Sequence, residues 1–163
     1  MVPDCPVLTI GYGNRNLDEF LALLKHEQVK YLLDVRSKPY SRKKEFNKKN
    51  LEATLKANGI KYVFMGDLLG GKPEEDESYC TGGEVDYNLL REQAFFKKGI
   101  ERVQDAWEKG YQIVLMCAES KPQNCHRTNL LGEELSKIDI AVMHIDEHGK
   151  LRSQEEILDR LIK

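Results

Sequence analysis

Two thiols, a carboxylate, an imidazole and a guanidinium fall within one short stretch of the chain: Cys117, Glu119, Cys125, His126 and Arg127. Glu119 has the chemistry of an acid/base group or nucleophile, or of a partner that orients His126 as its assistant. Arg127 can grip a phosphate or carboxylate through two parallel N–H bonds. A helix beginning near Thr128 would turn its free N–H groups and positive end toward the same stretch, which seats an anion. That field would also favour the thiolate of Cys125. The structural alternative makes Cys117 the end of a buried strand, Cys125 a small apolar packing residue, and Glu119 with Arg127 an ion pair. Five reactive or charged side chains in one strand-to-helix turn favour a site over that alternative.

Spacing narrows the thiol chemistry. A phosphatase or sulfurtransferase loop needs an arginine about six positions after its cysteine. Six after Cys117 is Gln123, and six after Cys125 is Leu131. Those mechanisms are disfavoured, although Leu33-Asp34-Val35-Arg36 resembles a sulfurtransferase strand. A metal site built on Cys117, Cys125 and His126 lacks standard ligand spacing and would need a distant fourth ligand such as Cys80 or His144. The sequence assigns no metal ligand and implies no particular cofactor. A thiol redox or metal-binding role for Cys117 and Cys125 stays open as an alternative to chemistry at Glu119.

Two further segments follow apolar runs and should reach the same edge. In Asp34-Val35-Arg36-Ser37-Lys38-Pro39-Tyr40-Ser41-Arg42, Arg36 offers charge, Ser37 and Ser41 offer hydroxyls, and Tyr40 offers a ring. Between Arg36 and Lys49 seven basic residues face one acidic residue, Glu45, with Tyr40 and Phe46 interleaved. Such a segment can track phosphates and stack a base, or simply form a solvated face. Near the start, Gly11-Tyr12-Gly13 supplies two glycines of a dinucleotide fingerprint, but position 16 is Asn, so the fingerprint is incomplete. Those glycines would let a ligand approach the backbone, with Tyr12 stacking on its ring. Leu69-Gly70-Gly71-Lys72 has the make-up of a flap and no phosphate-loop pattern.

The elements that must position these groups alternate along the chain. Val7–Ile10, Tyr31–Val35, Ile60–Met65, Gln112–Cys117 and Ile140–Ile145 read as strands. Helical spacing appears at Leu17, Phe20, Leu21 and Leu24 behind an Asn16 cap. It recurs from Asn47 to Asn58, from Leu89 to Lys109 (one helix, or two pieces meeting near Gly99), and from Thr128 to Lys137. A Ser153–Glu156 capping box opens the last helix. The pattern predicts a three-layer α/β/α sandwich with a mainly parallel sheet of about five strands, in a single domain spanning 1–163. Its ligand sites are expected where strands end and helices begin. The net charge of -2 excludes a strong global pull on nucleic acid. No apolar run approaches the roughly 20 residues of a membrane span. The start, Met1-Val2-Pro3-Asp4-Cys5-Pro6, lacks the features of a signal peptide. The expectation is a cytoplasmic protein whose four cysteines, none in a C-x-x-C pair, are reduced.

Several of these pieces occur together, in order, in one known family. Thr9-Ile10-Gly11-Tyr12-Gly13, Asp34 through Arg42, Phe46-Asn47, Gly59-Ile60-Lys61-Tyr62, Leu69-Gly70-Gly71, Cys117-Ala118-Glu119, Cys125-His126-Arg127 and His144-Ile145 resemble the DUF488 family. The resemblance spans nearly the whole chain and implies a single α/β domain of bacterial or archaeal type. It supplies no reaction. From the residues themselves, the leading expectation is an enzyme that binds a phosphate-bearing small molecule, a nucleotide or nucleoside derivative, at the carboxyl edge of the sheet. Glu119 would be acid/base or nucleophile, and Arg36 and Arg127 would hold the anion. The alternative in another class is a nucleic-acid-binding module that uses Arg36–Lys49.

Overall fold

The computed structural model describes residues 5–71, 79–82 and 84–162. Met1–Asp4 of the N-terminal reading and Lys72 of the flap lie outside them. In chain order the elements are β1 (Val7–Gly11), α1 (Leu17–His26), β2 (Tyr31–Asp34), α2 (Lys48–Ala57), β3 (Lys61–Phe64) and α3 (Gly66–Leu69). Then come β4 (Cys80–Thr81), β5 (Glu84–Val85), α4 (Tyr87–Leu90), α5 (Ala94–Glu108) and β6 (Ile113–Cys117). The chain continues with α6 (Glu133–Lys137), β7 (Val142–Ile145), β8 (Leu151–Ser153) and α7 (Gln154–Ile162).

The main sheet has six strands in the order β3-β2-β6-β1-β7-β8, and β4 pairs with β5 in a separate small hairpin. Five strands run parallel, as the alternating pattern predicts, and β8 is added antiparallel to β7. This sixth strand is only three residues long and directly abuts α7, so its sequence reads as part of the cap that follows it. The expected capping box is present. The Glu156 N–H donates to Ser153 Oγ at 3.1 Å, and the Ser153 N–H donates to Glu156 Oε1 at 3.2 Å.

Strand β6 shows why the sheet is covered on both sides. Ile113, Leu115 and Cys117 join one buried cluster with Leu69, Phe96, Val103 and Leu130. The alternate residues Val114 and Met116 join another with Phe20, Leu24, Leu51 and Leu55. The period of two along the strand therefore sends side chains into both layers, which is what a doubly covered parallel strand requires.

Helix boundaries depart from the sequence expectation in three places. The Leu89–Lys109 pattern breaks at Arg91–Gln93 instead of at Gly99. Gly99 lies inside α5, where an added Cβ would crowd Leu68 and Leu69, so it is kept for close helix packing. Asn47 precedes α2 without capping it, because its Oδ1 accepts from the Ser41 N–H. After Cys125 the chain makes a π-helical turn, Arg127–Gly132, before α6 begins.

Because β6 lies between β1 and β2, the three segments with candidate chemistry leave adjacent strands. Gly11 pairs with Cys117, and Asp34 with Met116. The loop after β6 is drawn against the end of β1, with Gly13 N–H donating to the Ala118 carbonyl at 2.8 Å. A Cβ on Gly11 would collide with the Glu119 carbonyl. Gly11 thus accommodates the protein's own loop in place of a ligand. Gly11→Ala is expected to cost about 1–3 kcal/mol, the usual range for overpacking. A urea denaturation midpoint unchanged from wild type would refute it.

Candidate functional site

A pocket of about 540 Å³ opens at the carboxyl edge of the sheet. The loop after β2 contributes Arg36, Ser37, Lys38 and Tyr40, and the segment from β6 into the next turn contributes Cys117, Ala118, Glu119, Asn124, Cys125 and His126. Gly71 and Tyr87 complete the wall.

The two thiols meet there. Cys125 Sγ lies 2.8 Å from Cys117 Sγ, with only 7% and 3% of the two residues exposed. Both are free cysteines. Burial by itself would raise the Cys117 thiol. The hydrogen bond from Cys125, the Arg127 charge and the backbone of Glu119 outweigh that, and Cys117 stands below the ordinary thiol range. Cys125 is pushed well above it, first by its hydrogen bond to Cys117 and then by burial. Of the pair, Cys117 is therefore the thiol that gives up its proton first, with Cys125 as the donor facing it.

His126 stands beside the pair as a neutral ring. Burial pushes its pKa down to about 4, against the raising effect of the Leu69 and Val35 carbonyls. Its Nε2 lies 3.0 Å from the Leu69 carbonyl oxygen, so Nε2 carries the proton and donates it there. Nδ1 is left as an acceptor, 3.6 Å from Cys125 Sγ. Gly71 makes room for this ring, since an added Cβ would press on it.

Arg127 takes a different position from that of an anion grip. It is 0% exposed and absent from the pocket wall. Its Nη2 donates to the Ser120 and Glu119 carbonyls at 2.9 and 3.3 Å, and its Nη1 donates to Thr9 Oγ1 at 3.1 Å. No carboxylate pairs with it among the described residues, so the ion pair with the Glu119 side chain that the structural alternative called for is not made. The guanidinium ties the loop after β6 to β1 and supplies positive charge beneath Cys117. Arg127→Met is expected to leave those carbonyls short of donors, costing about 2–3 kcal/mol. It should also raise the pH at which Cys117 alkylates. Denaturation and a labelling profile check both, and unchanged values in the two measurements would contradict this role.

Arg36 is also engaged. Its Nε and Nη2 donate to the Asp34 carboxylate at 2.9 and 2.8 Å, and Tyr62 Oη donates to the same carboxylate at 2.6 Å. Nη1 has no hydrogen-bond partner among the described residues.

The family model of the domain of unknown function DUF488 matches residues 16–133, well over half of the chain. The chain belongs to the DUF488 family. No curated protein and no solved structure matches it. The matched span carries β2, β3, β6 and the whole Cys117–Arg127 stretch, while β1, β7 and β8 lie outside it and complete the same sheet.

Other candidate residues of this DUF488 protein divide between pocket and core. Glu119 is exposed and lines the pocket, with Oε1 accepting the Lys121 N–H at 3.0 Å. Tyr40 is 73% exposed on the same wall. Tyr12 is instead buried and stacks on Phe46, ring centroids 4.4 Å apart, so it is not free to stack on a ligand in the pocket. Ser41 Oγ accepts from the Lys43 N–H and is not on the pocket wall.

The basic segment is only partly a surface. Phe46 is wholly buried and cannot stack a base. Lys43 Nζ donates to the Arg15 carbonyl at 2.7 Å, and Lys48 Nζ lies over the Phe64 ring. Arg36 is likewise engaged within the protein, by its pairing to Asp34.

Tyr87, which reaches the pocket from α4, carries no sequence signal, and His144 has a role other than that of a distant metal ligand. His144 is buried in a chain behind the site: Nδ1 lies 2.6 Å from Thr9 Oγ1 and Nε2 lies 2.6 Å from Gln154 Oε1. Gln154 Nε2 donates onward to the Thr128 carbonyl at 2.9 Å. Because Gln154 Oε1 can only accept, His144 carries its proton on Nε2, and Thr9 donates to Nδ1. Among the described residues, no group of three or more His, Cys, Asp and Glu side chains is arranged to hold a metal ion.

Proposed function

We propose that this DUF488 protein is an enzyme that binds a phosphate-bearing small molecule in the pocket and attacks it with the Cys117 thiolate. The observation that carries this reading is a pair of free thiols 2.8 Å apart on the wall of a cavity of about 540 Å³. Lys38, exposed on the pocket wall, meets the anion. Tyr40 offers a face for a base or other ring, which suits a nucleotide or nucleoside derivative.

Cys117 is the nucleophile because it is the thiol of the pair held below the ordinary range, and so ionises first. Cys125 holds the proton nearest to it and gives it to the leaving group. Glu119, at the exposed side of the pocket, serves as acid/base for the acceptor that releases the product. This moves the bond-forming role from Glu119 to Cys117 and retains the carboxylate for proton transfer. A reducing compartment such as the cytoplasm keeps both thiols available.

The test is protection from alkylation. Iodoacetamide should label Cys117 at neutral pH, and a panel of nucleoside monophosphates and other phosphorylated metabolites should slow that labelling at saturable concentrations. Cys117→Ser should remove the protected label. A Cys117 that does not alkylate, or one that no phosphorylated compound protects, would sink the reading.

A further inference from the structure

We propose that Cys117 and Cys125 are also a dithiol–disulfide couple, in which Cys117 attacks a small-molecule disulfide and Cys125 resolves the product. The inference rests on Cys117 being the reactive thiolate, and adds an electron-transfer activity to the same pocket.

The sulfurs are 2.8 Å apart, against about 2.05 Å in a disulfide, so closure requires a movement of under about 1 Å. Cys117 ends a central strand and Cys125, eight residues later, stands two residues before the π-helical turn, with the intervening loop held by Arg127. The loop brings the two sulfurs together in the reduced protein, before any covalent bond forms. Both residues line the pocket, so a disulfide bound there can reach them. The co-reactant is a low-molecular-weight disulfide, RS–SR, whose acidic groups would meet Lys38.

The steps balance as follows. The Cys117 thiolate attacks one sulfur of RS–SR, forming a Cys117–SR mixed disulfide and releasing RS⁻. Cys125 then no longer faces a thiolate, which removes the main cause holding its proton. That proton passes to the departing RS⁻. The Cys125 thiolate attacks Cys117 Sγ, forming the Cys117–Cys125 bond and releasing a second RS⁻. The protein has lost two electrons, and RS–SR has gained them as two thiol equivalents. In this sequence His126 is a positioning residue: its neutral ring, fixed through Nε2 on Leu69, keeps an acceptor beside Cys125 without adding positive charge.

Reduced wild-type protein incubated with oxidised glutathione and quenched in acid tests the couple by intact mass and peptide mapping. The expected product has lost two hydrogens, yields one peptide linking residue 117 to residue 125, and returns to the dithiol with dithiothreitol. Mapping separates this from any modification of Cys5 or Cys80. Cys125→Ser should instead retain glutathione on Cys117. Iodoacetamide labelling of the same reduced preparation separates the two hypotheses. Cys117 that alkylates, yet forms no link to Cys125 and only a persistent glutathione adduct, overturns the couple alone. Cys117 that neither alkylates nor exchanges overturns both the couple and the thiolate reading beneath it.

Discussion

Cys125→Ala is expected to raise the pH midpoint for alkylation of Cys117 by about one to two units, because a hydrogen bond to a charged group contributes about 1.5–3 kcal/mol and each pH unit is about 1.4 kcal/mol. The sign follows from the site. Cys117 is held low by the thiol proton that Cys125 donates, and alanine removes that donor. The rate at neutral pH should fall less than the thiolate fraction does. A more basic thiolate is a better nucleophile, so a tenfold smaller fraction gives only about a threefold slower reaction. Cys125→Ser retains a donor and should recover most of the shift. The measurement is the iodoacetamide rate against pH for the three proteins. A midpoint identical in wild type and Cys125→Ala would mean that the two sulfurs do not share a proton.

Acid should destabilise the fold through His144 well before the carboxylates titrate. Burial pushes the pKa of this fully buried ring down to about 4 from an ordinary 6.5, with the nearby Arg127 charge acting in the same direction. Between those values the unfolded chain binds a proton that the folded chain refuses, so stability falls as pH falls. The loss is about 2 kcal/mol by pH 5 and roughly 3 kcal/mol by pH 4. His126, whose pKa is also lowered to about 4, adds to it in the same direction. Asp146, Glu147 and Glu156 are shifted below their ordinary values of 3.8, 4.5 and 4.5, so their contributions are lost only at more acid pH. The slope between pH 6.5 and 5 therefore belongs to the histidines. Urea denaturation across that interval measures it, and a flat profile would show that the Thr9–His144–Gln154 chain accommodates a charged ring.

The buried Arg127 gives that acid effect a functional side. Thr9 connects His144 to the Arg127 guanidinium, and Arg127 holds the loop carrying Cys117 and Glu119. Protonating His144 removes the acceptor that Thr9 uses and places a second positive charge near the first. The site and the acid-sensitive network are thus two sides of one loop attachment.

The sequence alone determined the alternation of strands and helices, and with it a parallel three-layer sheet. It did so because doubly buried strands must be apolar on both faces and helices must carry a 3.6-residue stripe. It also marked Cys117 through Arg127 as the stretch richest in chemistry, and the caps at Asn16 and Ser153, since these signals are local. It could not determine partners across the sheet. Spacing ranked Glu119 and Arg127 above the thiols, because separation along the chain does not report that Cys117 and Cys125 close to 2.8 Å. Nor could composition tell a guanidinium aimed at a ligand from one that satisfies carbonyls, which is the difference between the expected and the observed Arg127. Phe46 and Tyr12 sit among basic residues and glycines yet stack in the core, because the third dimension supplied a neighbour that the linear pattern does not contain. Only the order β2-β6-β1 placed the three loops on adjacent strand ends, and that order decided which residues share the pocket and which hold it together.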